Sequence, residues 1–353
     1  KLPRGIEGLI ADANKHGIKF GIWIEPEMVN ENSNLYRTHP DWALTLPGRK
    51  PAMGRNQLVL DLSRPEVVDY LAEAVGKLLR EHHIEYIKWD MNRSMADVYA
   101  GNLSYDYVLG VYDFLERLTN RYPDLLLEGC SGGGGRFDAG MLYYSPQIWC
   151  SDNTDAVERI KIQYGTSFAY PSCTVGSHVS AVPNHQTGRM TELATRAAVA
   201  MAGSFGYELD LNLLTEEEKE QVREQIKNYH RFEMLIRQGR YYRLTDVWQK
   251  KEYAAWEYCR PDGSEALVTV VTLDTQCNPA TEYVKLRGLG EDKKYRVEVV
   301  GMQTGGENGQ RINGTPNSVE PEYYTGAQLV HAGLPVPRLG NEYKSWQVYV
   351  KEV

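Results

Sequence analysis

An aspartate at the end of an apolar strand is the residue of this chain whose surroundings best suit catalysis. Residues 86–93 read Tyr-Ile-Lys-Trp-Asp-Met-Asn-Arg, which places Asp90 at the end of a short buried strand, between Lys88 and Asn92. Residues two apart share a strand face, so we expect the Lys88 ammonium beside the Asp90 carboxylate, with Asn92 joining them if the strand continues. A neighbouring cation favours the ionised carboxylate that a nucleophile requires, although the pattern also fits a buried structural ion pair.

A second acidic segment, residues 149–155, reads Trp-Cys-Ser-Asp-Asn-Thr-Asp. Two carboxylates at the ends of different strands are what glycosidic bond cleavage needs, one as nucleophile and one as acid/base. The acid must hold its proton at neutral pH, and Trp149 is an apolar neighbour that helps to desolvate it. The local sequence leaves the choice between Asp152 and Asp155 open, since the segment also fits the N-cap of a following helix. It also leaves open the carboxyl separation, ~5–5.5 Å for retention or ~6.5–9.5 Å for inversion.

Other polar residues near strand ends support a sugar site more weakly. Trp23 ends a strand, where an indole can stack on a pyranose ring, and Arg55 lies in a βα loop, where a surface salt bridge is the alternative. The glycine-rich run 130–135 lacks the Lys-Ser/Thr of a phosphate-binding loop, so it indicates close approach of the backbone to a compact ligand. We interpret Cys130 as a buried or sugar-contacting thiol, because no motif places a histidine beside it. Four strand-end acids are more simply explained by helix capping or ion pairing: Glu25, Glu27, Glu128 and Asp210.

Alternating strand-like and helix-like segments must position these residues. Up to residue 243 we expect strands at 19–24, 85–90, 124–128, 147–150, 172–175 and 204–209, and helices at 6–16, 63–81, 105–120, 187–202 and 215–238. Capping boxes at 63–66 and 215–218 mark two helix starts. This βαβα order predicts an α/β fold, a (β/α)8 TIM-type barrel. Only about six βα units are found where a barrel needs eight. We therefore expect the barrel to be N-terminally incomplete, with its first two strands upstream on a longer polypeptide.

The pattern changes after the barrel portion, residues 1–243. Short alternating segments at 266–273, 282–286, 296–300 and 346–350 are separated by Gly, Pro and Asn turns, and we expect residues 301–317 to be a long polar loop at most. Strands of this kind at short intervals predict a C-terminal antiparallel β-sandwich, residues 244–353.

Composition excludes several classes of function. The formal net charge of −8 argues against nucleic acid or an anionic membrane as the main partner. No apolar run approaches the ~18 residues of a membrane span. Five cysteines without a CxxC motif indicate a reducing compartment with unpaired thiols rather than a disulfide framework. His178 and His185 match no metal motif, and we expect neither a metal nor another cofactor.

Five long motifs together resemble glycoside hydrolase family 36, the α-galactosidases of raffinose and melibiose breakdown. They are Phe-Gly-Ile-Trp-Ile-Glu-Pro-Glu-Met-Val at 20–29, Ile-Lys-Trp-Asp-Met-Asn-Arg at 87–93, Glu-Gly-Cys-Ser-Gly-Gly-Gly-Gly-Arg-Phe-Asp at 128–138, Ser-Asp-Asn-Thr-Asp-Ala at 151–156, and Ser-His-Val-Ser at 177–180 with Pro-Asn-His-Gln at 183–186. The resemblance extends from the first residue through the terminal sandwich.

The resemblance implies a retaining double displacement on a small-molecule α-galactoside. Asp90 matches the family nucleophile, and Asp152, rather than Asp155, matches the acid/base; this choice comes from the family alone. The positions that match contacts to galactose in the −1 subsite are Trp23, Arg55, Lys88, Asn92 and Cys130. The family further suggests a cytoplasmic homotetramer that needs no cofactor.

The chain departs from the family pattern at its start. Family members carry an N-terminal β-domain and two further barrel strands, with an Asp-Asp pair that binds the galactose 4- and 6-hydroxyls. We therefore expect these 353 residues to need the missing N-terminal segment and to bind galactose weakly alone. The alternatives are an α-N-acetylgalactosaminidase or a transgalactosylase on the same scaffold, or a sugar-binding fragment without catalysis.

Overall fold

The computed structural model of the protein describes residues 2–98, 101–278, 280–300, 321–337 and 342–353. These residues form two compact units, Lys1–Asp152 and Asn153–Val353. The polar loop predicted at 301–317 lies outside the described residues.

The first unit is built on four parallel strands. In chain order its strands are β1 (Gly21–Ile24), β2 (Met28–Val29), β3 (Leu58–Val59), β4 (Tyr86–Trp89), β5 (Leu126–Gly129) and β6 (Gln147–Trp149). The parallel order is β1-β4-β5-β6, with Ile22 opposite Ile87 and Ile87 opposite Leu127, while β2 and β3 form a separate antiparallel pair. Because parallel strands end at the same edge, the residues that follow β1, β4, β5 and β6 come together there.

Five helices accompany these strands: α1 (Gly5–Lys15), α2 (Asn34–Thr38), α3 (Pro65–Glu81), α4 (Leu103–Arg121) and α5 (Ala139–Tyr144). Helix α3 begins with a proline at its first position and buries an apolar stripe that includes Val67 and Leu71. The capping box predicted at 63–66 is wrong: Arg64 is the N-cap without a side-chain cap bond, and the Ser63 hydroxyl donates to Asp61 Oδ1 at 2.6 Å.

Apolar residues of the strands form the core of the first unit. Ile87, Trp89 and Leu127 are fully buried, and the Trp89 ring packs edge-on against Phe114 with centroids 4.7 Å apart. Ile87 and Trp89 share one face of β4, so this core holds the strand that directly precedes Asp90.

The second unit begins with two more parallel strand–helix units. It contains helix α6 (Ala156–Thr166), strand β7 (Val175–Ser180), helix α7 (Leu193–Ala200), strand β8 (Ser204–Glu208) and helix α8 (Glu216–Gln238), and β7 pairs with β8 in parallel. The capping box predicted at 215–218 is confirmed, because the Thr215 side chain and the Glu218 side chain each bond to the other's backbone N–H.

Antiparallel strands complete the second unit. They are β9 (Arg240–Arg243), β10 (Tyr253–Cys259), β11 (Glu265–Thr272), β12 (Tyr283–Val284), β13 (Lys294–Val299), β14 (Glu322–Thr325), β15 (Leu334–Pro335) and β16 (Ser345–Glu352). Six form a sheet in the order β14-β13-β16-β11-β10-β9, and β12 pairs with β15. Alternate residues of β11 face different cores: Val268 and Val270 pack in one cluster, Leu267 and Val271 in another.

Two predicted elements of the second unit are wrong in their limits. The strand expected at 172–175 runs over Val175–Ser180 after a 3-10 turn at Ser172–Thr174. The helix expected at 187–202 covers only Leu193–Ala200, because the Asn184 side chain accepts from the backbone N–H groups of Gln186 and Thr187 and holds this segment as a turn.

The fold class agrees with the prediction. Four parallel strands in the first unit and two in the second give six βα units, and antiparallel sheets follow. The domain boundary at 243/244 stays a prediction. Among the helices of the described residues, none combines the length and the apolar character that crossing a membrane requires.

Candidate active site

Asp90 lies where strand β4 ends and is only 5% exposed. Its carboxylate accepts several hydrogen bonds: Oδ2 from Trp23 Nε1 at 3.1 Å and from Asn92 Nδ2 at 2.5 Å, and Oδ1 from the N–H groups of Met91 at 2.9 Å and Gly132 at 3.4 Å. The donors come from the ends of β1, β4 and β5, so the strand order of the parallel sheet assembles them.

These donors keep Asp90 ionised. Burial by itself raises the pKa of the carboxyl group, but hydrogen bonds from Cys130, Asn92 and Trp23 outweigh it and bring the pKa below its usual value. An ionised, buried carboxylate with fixed orientation is the form that a nucleophile needs.

Lys88 makes its ion pair with Glu128. Its ammonium lies 3.1 Å from Glu128 Oε1, a fully buried carboxylate, and 4.5 Å from the centre of the Trp149 ring. Lys88 and Glu128 are partners in the β4–β5 register. The largest contributions that lower the pKa of Asp90 therefore come from neutral donors, not from the Lys88 ammonium that the sequence suggested.

Cys130 carries a protonated thiol. It is 5% exposed, and burial, together with the neighbouring Asp90 carboxylate, raises the pKa of the thiol to about 12. The thiol therefore serves as a hydrogen-bond donor to Asp90. A thiol in this state does not suit a nucleophilic role.

The glycine-rich loop connects Asp90 with Asp152. Gly132 and Gly133 have φ values of 54° and 89°, in the left-handed region that favours glycine. The Gly132 N–H faces Asp90, whereas a Cβ on Gly133 would lie 3.0 Å from the backbone nitrogen of Asp152. A Cβ on Gly134 would come within 2.5 Å of the Cys150 carbonyl oxygen. Glycine at these positions lets consecutive residues of one loop touch the Asp90 side chain and the backbone of Asp152.

The two acids of the 149–155 segment differ in their surroundings. Asp152 is exposed, and its Oδ1 accepts from Trp149 Nε1 at 3.0 Å. Asp155 is 2% exposed, caps helix α6 through Val157 N at 2.9 Å and pairs with Arg189. Burial raises the pKa of Asp155, but its hydrogen bonds, led by Arg189, outweigh this and lower it. Asp155 is thus a helix cap, and Asp152 is the acid that a ligand can reach.

Arg55 reaches the site through Glu25. Arg55 Nη1 donates to Glu25 Oε1 at 3.0 Å, and the same oxygen accepts from Asn92 Nδ2 at 2.5 Å. Gln57 Nε2 donates to Glu25 Oε2 at 3.2 Å. The sequence analysis did not single out Gln57. Its position two residues after Arg55, in the same short loop, is the signal that could have made it a candidate. Trp23 is 47% exposed, so part of its indole is open to a ligand.

Other polar residues of the sequence hypothesis have structural partners. Buried Glu27 pairs with Arg136, and the His178 ring lies 3.3 Å from a Glu208 oxygen. Asp210 caps the 3-10 turn at Leu211–Leu213. Within the part of the chain that the structure describes, no group of three or more His, Cys, Asp or Glu residues is placed to bind a metal ion.

Family models match nearly the whole chain. The model described as Melibiase matches residues 1–239, and the one described as Glycosyl hydrolase family 36 C-terminal domain matches residues 253–350. Curated relatives align along the entire chain. The bifunctional alpha-galactosidase/sucrose kinase AgaSK of Mediterraneibacter gnavus is 57% identical, and the match covers 36% of its length. The alpha-galactosidase AgaA of Geobacillus stearothermophilus is 44% identical, with 46% of its length covered.

Solved structures of the same relatives are also similar to this fold. The galactosidase domain of AgaSK superposes with a TM-score of 0.91 over 100% of this chain and 46% of that one. A doubly substituted variant of AgaA in complex with raffinose gives a TM-score of 0.91 over 100% of this chain and 47% of that one. The predicted resemblance and the predicted fold class are confirmed. The chain spans less than half the length of these relatives.

Proposed function

Because the chain belongs to glycoside hydrolase family 36, we propose that the protein is a retaining α-galactosidase. It would remove terminal α-1,6-linked galactose from raffinose-family oligosaccharides and melibiose. The observation that carries this proposal is an ionised, buried Asp90 held by neutral donors, with the exposed acid Asp152 on the neighbouring loop.

In the first step an oxygen of Asp90 attacks C1 of the galactose while Asp152 donates its proton to the glycosidic oxygen. The C1–O bond to the leaving sugar breaks, and a β-galactosyl ester on Asp90 forms. Donors from Trp23, Asn92 and the Gly132 N–H fix the carboxylate before attack, which lowers the entropic cost of reaching the transition state.

In the second step Asp152 acts as a base. It takes a proton from water, the water oxygen attacks C1, and the ester bond to Asp90 breaks. Two inversions at C1 give α-galactose, so the anomeric configuration is retained. Asp152 ends the cycle protonated and Asp90 ends it ionised, which restores the starting state.

We assign five further side chains to the galactose subsite: Trp23, Arg55, Lys88, Asn92 and Cys130. The half-exposed indole of Trp23 supports stacking on the sugar ring, and the exposed guanidinium of Arg55 supports hydrogen bonds to hydroxyls. The Lys88 ammonium, 19% exposed, lies between Glu128 and the Trp149 ring.

The substrate range rests on similarity. Doubly substituted variants of AgaA have been solved with raffinose and with stachyose, and they are 44% and 43% identical to this chain. We further propose a cytoplasmic homotetramer that acts on small sugars and binds neither nucleic acid nor membrane. The five free cysteines and the net charge of −8 support this placement.

The test is the anomeric configuration of the first product. The complete polypeptide that contains these residues is mixed with p-nitrophenyl α-galactoside. Proton NMR then follows the signal of the anomeric hydrogen on C1 of the released galactose before mutarotation. We expect α-galactose first. Initial β-galactose would overturn retention. If the protein cleaves the N-acetylgalactosaminide but not this substrate, it is an α-N-acetylgalactosaminidase. If it cleaves neither, a sugar-binding module is favoured. Galactosyl transfer to added raffinose in excess of hydrolysis would favour the transgalactosylase.

A further inference from the structure

We propose that Glu25 is a positioning residue of this site, whose carboxylate sets the orientation of both the Asp90 nucleophile and Arg55. This inference rests on the proposed function and adds to it a residue that does not itself react. It starts from three contacts that converge on one carboxylate at the end of strand β1.

The Glu25 carboxylate is surrounded by donors from two loops. Oε1 accepts from Arg55 Nη1 at 3.0 Å and from Asn92 Nδ2 at 2.5 Å, and Oε2 accepts from Gln57 Nε2 at 3.2 Å. The Glu25 side chain is 7% exposed, whereas that of Arg55 is 54% exposed. Burying a carboxylate costs free energy unless hydrogen bonds and a cation replace its water, and these three donors do so.

Asn92 links Glu25 directly to the nucleophile. Its single Nδ2 donates to Glu25 Oε1 and to Asp90 Oδ2, each at 2.5 Å. An amide nitrogen has two hydrogens, so each carboxylate receives one. The reverse orientation would place the Asn92 carbonyl oxygen against two carboxylates, which is repulsive. Glu25 and Asp90 together therefore fix this amide, and the fixed amide is one of the donors that keep Asp90 ionised.

The backbone around Arg55 supports the same role. Gly54 and Gln57 exchange two backbone hydrogen bonds, and the central residues Arg55 and Asn56 have φ values of 53° and 60°. Such a turn normally uses Asn-Gly, because a residue with a long side chain is strained in the left-handed region. The ion pair with Glu25 holds Arg55 in a conformation that it would not otherwise prefer, and so places its guanidinium.

Buried Glu27 shows what a purely structural acid looks like in the same strand-end segment. It accepts from Trp89 Nε1 at 2.8 Å and from the Tyr107 hydroxyl at 2.6 Å, and it pairs with Arg136 at 2.8 Å. Trp89 and Tyr107 are core residues. Glu25 instead contacts the two side chains, Arg55 and Asn92, that we assign to the galactose subsite.

The test compares Glu25→Ala, Glu25→Gln and Glu25→Asp in the complete polypeptide, with Glu85→Ala as the matched control at the opposite end of strand β4. Glu85 pairs with Lys19 at 3.4 Å, away from the site. The readouts are kcat, KM and the acidic limb of the pH profile of kcat/KM, which reports ionisation of the free enzyme. Circular dichroism checks the fold of each variant.

We expect Glu25→Ala to lower kcat/KM about 100-fold, since a misplaced reacting group costs about this much. The acidic limb should move to higher pH, because freeing Asn92 removes a donor that lowers the pKa of Asp90. Glu25→Gln should remain within about 10-fold of wild type. Its Oε1 can accept from Arg55 and Asn92. Its amide nitrogen can donate to Gln57 Oε1 once the Gln57 amide turns over, because that buried oxygen has no hydrogen-bond partner among the described residues.

Several outcomes would overturn the inference. Glu25→Ala with kcat/KM within twofold of wild type and an unmoved acidic limb would remove the positioning role while leaving the proposed function intact. A fall in stability without a shift of the limb would make Glu25 merely structural. If Glu25→Ala does not fold, Glu25→Asp decides. Aspartate keeps the carboxylate but is one methylene shorter, so it cannot contact both Arg55 and Asn92 in the same way. Activity of Glu25→Asp equal to that of Glu25→Gln would therefore contradict the inference. A wild-type protein that hydrolyses no α-galactoside would overturn the proposed function and, with it, the role of Glu25.

Discussion

Two buried carboxyl groups of this chain, Asp90 in the first unit and Glu257 in the second, have opposite ionisation. Asp90 is 5% exposed and has a lowered pKa, whereas burial raises the pKa of Glu257, 0% exposed, to about 8. Glu257 accepts from the backbone N–H of Arg287 at 2.8 Å, and its Oε1 has no hydrogen-bond partner among the described residues. Asp90 accepts from two side-chain and two backbone N–H groups and from the Cys130 thiol.

The difference shows that donors, rather than burial, decide what a buried acid can do. Desolvation raises the pKa of both groups, and only Asp90 has enough donors to reverse it. The side chains that do most to lower the pKa of Asp90 are neutral donors, Cys130, Asn92 and Trp23, so hydrogen bonds stabilise its charge. Glu257 lies within strand β10, all of whose residues are buried.

The largest change should come from making Asp90 resemble Glu257. The double variant Trp23→Phe/Asn92→Ala removes two side-chain donors, and we expect kcat/KM to fall about 10⁴-fold, since each such donor contributes about 10²-fold or more. The acidic limb of kcat/KM should move to higher pH, because the pKa of Asp90 rises when donors to its charged form are lost. Steady-state kinetics from pH 4 to 8 measures both, with each single variant as control. A limb that stays in place would contradict the comparison.

The second prediction concerns the effect of Glu257 on the pH dependence of stability. Its carboxyl is protonated when folded and ionised when unfolded between about pH 4.5 and pH 8, so folding binds a proton there and stability falls as pH rises. The loss is on the order of 4 kcal/mol across this window. Glu257→Gln removes the titration, and its unfolding free energy should lack this decline. Urea unfolding at pH 5 and pH 8 tests it. Parallel pH dependences for variant and wild type would contradict the raised pKa.

The third prediction concerns the acid/base. Asp152→Ala should lower kcat on raffinose about 10³-fold, because the leaving sugar needs a proton. The loss on p-nitrophenyl α-galactoside should be much smaller in the first step, since nitrophenolate leaves without one. Asp155→Asn is the matched variant: it weakens the cap of helix α6 and the pair with Arg189, so it should lower the melting temperature and leave this leaving-group dependence unchanged. The reverse pattern would exchange the roles of the two acids.

The smallest change tests a single donor. Cys130→Ala should lower kcat/KM about 10-fold, less than the loss of an N–H donor, because a thiol is a weak hydrogen-bond donor. Cys130→Ser restores a donor and should recover most of the loss. Equal activity of Cys130→Ala and Cys130→Ser would mean that the thiol contributes packing rather than a hydrogen bond to Asp90.

Local sequence patterns predicted much of the fold and the position of Asp90. An apolar strand followed by a carboxylate is a short-range signal, and it located Asp90 at the end of β4 correctly. The Thr215 capping box is equally local and marks the start of helix α8. The strand β7 was misplaced because Ser177, His178 and Ser180 give it a polar pattern, although most of its residues are buried.

Contacts between strands could not be found in the same way. Lys88 pairs with Glu128 because the β4–β5 register sets them opposite each other, and register depends on how whole strands align. Asn92 lies 67 residues from Glu25, so nothing in either motif indicates their hydrogen bond. The helix cap formed by Asp155 was likewise undecided from the sequence, because Thr187 and Arg189, its other partners, come from a distant loop.

Azide rescue is the most direct experiment on the proposed role of Asp90 as the nucleophile. Asp90→Ala of the complete polypeptide is assayed on p-nitrophenyl α-galactoside with and without sodium azide, with Asp155→Asn as control. We expect Asp90→Ala to be inactive without azide and to regain activity when azide is added. The product should be β-galactosyl azide, because azide takes the place of the missing carboxylate on the β face of C1. Retained hydrolysis in Asp90→Ala without azide, or rescue that gives only α-galactose, would contradict this role of Asp90.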